Sequence, residues 1–106
     1  MDRLAATPEP PYTAVIFTSI RSADGAGYDQ MAALMREMAA QQPGYLGIEA
    51  AREGIGLTVS YWIDDAAAAA WKAVSEHLGA QRLGRTRWYS EYRVRVATVT
   101  REYGQA

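Results

Sequence analysis

Residues 45–63 read YLGIEAAREGIGLTVSYWI, and the fold follows from how this stretch is divided. Tyr45 to Arg52 and Leu57 to Ile63 are strand-forming runs, the second rich in β-branched and aromatic residues. Glu53-Gly54-Ile55-Gly56 between them supplies the turn, so the pair is predicted to be a hairpin. On the N-terminal side lies Gln42-Pro43-Gly44, a helix stop. Before it, Tyr28, Met31, Leu34, Met35 and Met38 recur at helical spacing, with Asp29, Gln30, Arg36 and Glu37 on the other side, predicting a helix over 28–40. Arg21 to Gly27 is a loop with turn chemistry at Asp24 and its glycines. Tyr12 to Ile20 (YTAVIFTSI) is a first strand. On the C-terminal side, Asp64 and Asp65 cap a second helix and suit its dipole. The alanines 66–70 propagate that helix through Trp71 to about Gly84–Arg87. A last strand runs from about Trp88 to Arg101, with Tyr92, Val94, Val96 and Thr98 on one face and Arg93, Arg95, Ala97 and Val99 on the other.

The order is β-α-β-β-α-β, an α+β, ferredoxin-like domain with a four-stranded antiparallel sheet. Two helices cover one face of such a sheet. The other, rich in aromatic and β-branched residues, needs a partner, and a second copy packing sheet to sheet is the simplest one. A homodimer of the dimeric α/β barrel type is therefore expected. At 106 residues the chain is one domain, 12–106, after a flexible lead-in, 1–11, that carries Pro8, Pro10 and Pro11.

Composition excludes several classes of function. A content of 49% hydrophobic and 22% charged residues is that of a globular protein and not of a disordered one. The net charge of −1 provides no general field toward nucleic acid or anionic lipid. No apolar run is long enough to span a bilayer, MDRLAATPEPP lacks the apolar core of a secretory signal, and cytoplasmic residence is expected. With no cysteine and one histidine, neither a disulfide nor a usual transition-metal site is expected. Glycine-rich phosphate-binding loops of the dinucleotide or P-loop type are missing. The arginines Arg82, Arg85, Arg87, Arg93 and Arg95 are interleaved with aromatic residues. The aromatic run of an RNA-binding sheet is not there, and nucleic acid is the least favoured partner.

Three stretches resemble the antibiotic biosynthesis monooxygenase (ABM) family. They are Pro43-Gly44-Tyr45-Leu46-Gly47-Ile48-Glu49; Ser60 to Asp65 followed by Ala70-Trp71-Lys72; and Glu76-His77-Leu78-Gly79-Ala80-Gln81-Arg82-Leu83-Gly84-Arg85-Thr86-Arg87-Trp88-Tyr89 running into Tyr92–Ala97. The similarity covers about residues 12–103. It implies a dimer with a cavity between helices and sheet in each subunit. Members of known activity either oxygenate polycyclic phenols without metal or flavin, or bind and cleave haem. The haem-cleaving branch is similar at Trp62 and Trp71 but requires an Asn on the first strand and a His three turns beyond Trp71. Here those positions are Thr18 and Gln81, poor substitutes for an amide donor and an imidazole ligand. Haem degradation is not expected.

On a continuous helix His77, Gln81 and Arg85 form one stripe, with Trp88 a turn further on. Read as a site, His77 takes a proton from a phenol, Arg85 holds the resulting anion or a reduced oxygen species, and Gln81 orients the substrate. Trp71, Trp88, Tyr92 and Thr18 then contact the substrate. No metal and no organic cofactor is expected, only molecular oxygen as co-substrate. The bland reading is equally open: His77 and Arg85 on the surface, the aromatics in core and dimer contacts, and Met31, Met35 and Met38 between helix and sheet. Two functions follow from these readings, an oxygenase for an aromatic or quinol-type molecule, and a non-catalytic dimeric module that binds a hydrophobic ligand.

Overall fold

The computed structural model describes residues 3–23, 25–81 and 88–105, and for residues 79–81 the backbone alone. Its elements are β1 (Tyr12–Arg21), α1 (Tyr28–Ala40), β2 (Tyr45–Glu53), β3 (Ile55–Trp62), α2 (Asp65–Gln81) and β4 (Tyr89–Val99). The expected order is the observed one. The sheet is antiparallel throughout, in the order β2-β3-β1-β4.

Local chemistry accounts for the element ends. Asp64 Oδ1 accepts the Ala67 N–H at 2.8 Å, the carboxylate cap that starts α2. Gly44, with φ +85°, follows α1 and puts its carbonyl 2.8 Å from the Ile63 N–H, which ties the helix exit to the end of β3. The hairpin is tighter than expected. Glu53 pairs with Ile55 and Gly54 alone makes the turn, with φ +79°. The second half of the expected turn, Ile55 and Gly56, is already strand.

Strand alternation sorts the sheet into two faces. Ile48, Ser60, Val15 and Val96 form one row across all four strands, and Ala50, Thr58, Phe17 and Val94 the next but one; both face the helices. Between them lie Glu49, Val59, Ile16 and Arg95 on the outer face, with Ala51, Leu57, Thr18 and Arg93 one row further. The core sits under the helices, where Ala39 of α1 and Ala68 of α2 close on a fully buried Trp62. Trp62 stacks on Trp71, meets Tyr45 edge-on and donates its indole N–H to Ser60 Oγ at 2.9 Å.

The outer face has two parts. At one end the segment before β1, expected as a lead-in, lies against it. Ala5 N–H donates to Glu49 at 2.8 Å, and Glu49 also accepts the Tyr61 hydroxyl at 2.7 Å. Thr7 and Tyr12 both donate to Glu102. At the other end Ile20, Ile55 and Leu57 remain 40–56% exposed. No helix among the described residues is long and apolar enough to cross a membrane.

Candidate functional site

Between the helices and the sheet lies a cavity of about 330 Å3, at the small end of the roughly 300–1,000 Å3 of ligand pockets. Phe17 and Val15 form its floor, Met31 and Met35 of α1 one wall, Trp71 of α2 the other, and Trp88 closes an end. Arg36, Asp65 and Lys72 also line it, and Lys72 pairs with the exposed Glu76 at 3.4 Å. The cavity is open beneath β4. Val94 and Val96 line it yet are 41% and 55% exposed, because the edge strand extends beyond the cover of the helices.

The expected site residues separate. Trp71 and Trp88 both line the cavity. Trp88 is buried and its indole N–H is spent on Ala26 O at 2.8 Å, so it offers an apolar wall and no hydrogen bond. Tyr92 is on the helix side of β4, stacked on Phe17 at 5.6 Å, but is not part of the lining. Thr18 faces away. It belongs to the outer rows of β1, while its neighbour Phe17 forms the cavity floor, so the substrate contact expected of Thr18 is corrected to an outer-face position. His77 is exposed and absent from the lining. It follows the cavity-lining Ser75 by two residues, about 200° around a helix, and so lies on the far side of α2. The inward-facing role expected of His77 therefore has no support in its position. The Gln81 side chain and Arg85 lie outside the described residues.

The polar end of the cavity was not anticipated. Tyr28, read from the sequence as a helix packing residue, and Tyr89, read as one aromatic among several, both line the cavity, and Tyr89 Oη donates to Tyr28 Oη at 3.4 Å. Burial pushes the Tyr89 phenol well above its ordinary range, and the hydrogen bond with Tyr28 adds to this; Arg52 and Arg21 act in the opposite sense. The Arg21 guanidinium lies 3.5 Å over the Tyr28 ring centroid. Arg52 reaches from β2 across β3 to Ser19 of β1, donating to its carbonyl at 3.3 Å and to its hydroxyl. Gly56 stands in the same register row between them, and a Cβ there would collide with the Arg52 guanidinium. The missing side chain is the corridor. A glycine inside a strand is the sequence signal that could have shown this close approach.

A protein of Bacillus subtilis (strain 168), the uncharacterised YqjZ, is 50% identical over 104 residues, spanning 96% of this chain and 91% of that one. The chain belongs to the YqjZ family. No family model matches the sequence. Among solved structures, a variant of SnoaB, a cofactor-independent oxygenase from Streptomyces nogalater, superposes with a TM-score of 0.72 at 15% identity, covering 89% of this chain and 98% of that one. A Nitrosomonas europaea protein provisionally assigned as an antibiotic biosynthesis monooxygenase gives 0.66 at 13% identity, with 95% and 99% covered. The haem-degrading protein Rv3592 of Mycobacterium tuberculosis gives 0.57 at 20%, with 91% and 100% covered. At these identities the likeness is one of fold, and the fold is that of the ABM domains.

Proposed function

We propose that this member of the YqjZ family is a cofactor-independent monooxygenase for a small, flat phenol or quinol. The observation behind the proposal is a cavity walled by Phe17, Met31, Met35, Trp71 and Trp88 that ends on a pair of phenolic hydroxyls. Such walls suit the faces of fused rings, and the hydroxyls suit a ring oxygen. SnoaB, with the same fold, is a cofactor-independent oxygenase, and this supports the reading.

The chemistry asks little of the protein. A deprotonated phenol is electron-rich and passes electrons to O2 within the pocket. One oxygen atom ends as a carbonyl on the ring carbon para to the phenol oxygen; the other leaves as water, taking the hydrogen of that carbon and the phenol proton. The protein binds the ring, excludes water and holds charge. Arg85 as counter-charge and Gln81 as an orienting group remain part of the proposal, whereas proton acceptance by His77 does not. The working unit is a homodimer in the cytoplasm, paired through the outer sheet face where Ile20, Ile55 and Leu57 are exposed.

The test is oxygen uptake with a panel of anthrones and dihydroquinones, with mass spectrometry of the product under isotopically labelled O2. Turnover with one labelled atom gained, and loss of turnover in Trp71→Ala, is the expected result. No uptake across the panel would refute the oxygenase reading. A second reading, a ligand-binding module without chemistry, is favoured by the way the hydrogen-bonding groups of Ser60, Ser75 and Trp88 are engaged within the protein. Tight binding of the same compounds without uptake would select it.

A further inference from the structure

Two tyrosine hydroxyls facing each other hold two protons and use one of them on the pair. Tyr89 Oη donates to Tyr28 Oη, and among the described residues the Tyr28 proton meets no acceptor. The ring that carries it is held from three sides. Trp88 and Tyr89 meet it edge-on at 6.1 and 5.9 Å, and the Arg21 guanidinium covers a face. Arg21 Nε is buried without a hydrogen-bond partner. Arg52 is held nearby through Ser19, in the gap left by Gly56. Neither arginine is in an ion pair among the described residues, where the one such pair is Lys72–Glu76. Two uncompensated cations behind a hydroxyl with an unspent proton make a place for an oxygen that carries negative charge. The cations are placed deliberately. Arg52 crosses a whole strand to get there, and a glycine keeps its route clear.

We propose that Tyr28 and Tyr89, backed by Arg21 and Arg52, form the anchor for the ring oxygen of a phenol or phenolate whose apolar rings lie along Trp71 and Phe17. Tyr28 Oη donates to that oxygen, and the guanidiniums hold its charge. This rests on the reading of the cavity as a ring-binding site and assigns the end of it that selects a hydroxylated ring over a bare one.

The experiment compares 1-naphthol with naphthalene, neither of which needs to react, by quenching of tryptophan fluorescence in the full chain. In a purely apolar cavity naphthalene binds tighter, because the hydroxyl of naphthol loses its hydration for nothing. The anchor reverses the order, and 1-naphthol is expected to bind about tenfold tighter, the size of one net hydrogen bond aided by charge. Tyr28→Phe removes the preference while naphthalene affinity stays within about twofold, since only a hydroxyl is lost. Gly56→Ala, which displaces the flexible end of Arg52 without touching either tyrosine, weakens 1-naphthol and leaves naphthalene unchanged. Far-UV circular dichroism establishes that each variant is folded, and Gly56→Ala carries the test if Tyr28→Phe is not. Naphthalene binding as tightly as 1-naphthol to the wild type, or a preference that survives in folded Tyr28→Phe or Gly56→Ala, overturns the anchor. Failure of oxygen uptake with the preference intact refutes only the oxygenase reading; uptake with the preference absent refutes only the anchor.

Discussion

Replacing Trp62 by Phe separates the core of this domain from its cavity. Trp62 is 0% exposed, stacked 5.9 Å from Trp71 and edge-on 5.6 Å from Tyr45, with its N–H on Ser60 Oγ. Phe keeps one ring and loses the rest. The lost hydrogen bond costs about 1 kcal/mol. Some 50 Å2 of lost apolar burial costs about 1.3 kcal/mol at roughly 25 cal/mol per Å2. The residual void adds on the order of 1 kcal/mol, because α1 and α2 cannot fully collapse onto it. The expected loss is about 3 kcal/mol, a fifth to three-fifths of the roughly 5–15 kcal/mol such a domain has. At about 2.1 cal/mol/K per residue of unfolding entropy, this lowers Tm by about 13 °C. Trp71→Phe should behave in the opposite way. Its ring is half-buried on the cavity wall, so its stability loss is only about 1 kcal/mol while 1-naphthol affinity falls several-fold. Urea unfolding followed by far-UV circular dichroism, at one fixed protomer concentration, measures the first effect, and fluorescence titration the second. A Trp62→Phe loss below about 1 kcal/mol would refute the core assignment. So would a drop in naphthol affinity as large as that of Trp71→Phe.

Three further outcomes are expected. Gly44→Ala forces a Cβ to 2.6 Å from Ala67 Cβ and 2.9 Å from Ile63 Cγ2, at a φ of +85°; combined strain and overpacking should cost about 2–5 kcal/mol, read as a melting-point drop of about 8 °C or more by the scale of roughly 4–8 °C per kcal/mol. Burial, then the Glu49 carboxylate beside it, push the Tyr61 phenol up from 10.0 to about 12. The fold therefore favours the neutral phenol: this stability is fully present below pH 10 and is lost as pH rises through about 12. After discounting for solvent around the half-buried ring the loss is roughly 1 kcal/mol. Tyr61→Phe should flatten the fall in stability over that window, and an unchanged slope in alkaline denaturation would count against it. Leu57→Arg, placing a charge in the exposed apolar patch with Ile55 and Ile20, should convert a sedimenting dimer into a folded monomer; a wild type that already sediments as a monomer would exclude dimerisation through this face.

The architecture was legible because its signals are local and repeated. Met31, Met35 and Met38 mark a helical period, Pro43-Gly44 ends it, and Asp64 starts the next helix with the cap its carboxylate was expected to make. The first helix, expected from Tyr28 to about Ala40, is observed over Tyr28–Ala40. The hairpin turn was read too long for a physical reason. Glycine marks both turns and close approaches, and Gly56 is in the strand to let Arg52 pass, not to bend the chain. The mixed treatment of the outer face was less legible. Nothing in Ala5 or Thr7 announces that the segment before β1 lies across the sheet, because the partners, Glu49 and Glu102, are 44 and 95 residues away.

The site was harder to read because a periodic pattern gives spacing without phase. His77, Gln81 and Arg85 are spaced by four residues, but Ser75 and Trp71 define the cavity side of α2, and His77 is half a turn away from them. Thr18 fails by the same logic with a period of two, since Val15 and Phe17 fix the inward parity of β1. Tyr89 is the instructive case, because alternation counted back from the inward-facing Val96 and Val94 through Tyr92 assigns it to the outer face. Instead, the β1–β4 ladder slips: Ile20 pairs with Glu91 but Arg21 pairs with Tyr89, and Ser90 is passed over. One extra residue reverses the parity and brings the Tyr89 hydroxyl inside, beside Tyr28. The bulge also pairs Tyr89 with Arg21, whose guanidinium lies on the Tyr28 ring. A single irregularity thus assembles both the hydroxyl pair and one of its cations, at the strand end where regular alternation would have sent Tyr89 to the opposite face. Deleting Ser90 tests this directly: it leaves Tyr89 next to the outward-facing Glu91, still opposite Arg21 and on the inward parity, so the preference for 1-naphthol over naphthalene should survive, and its loss in a folded deletion variant would refute this account of the strand end.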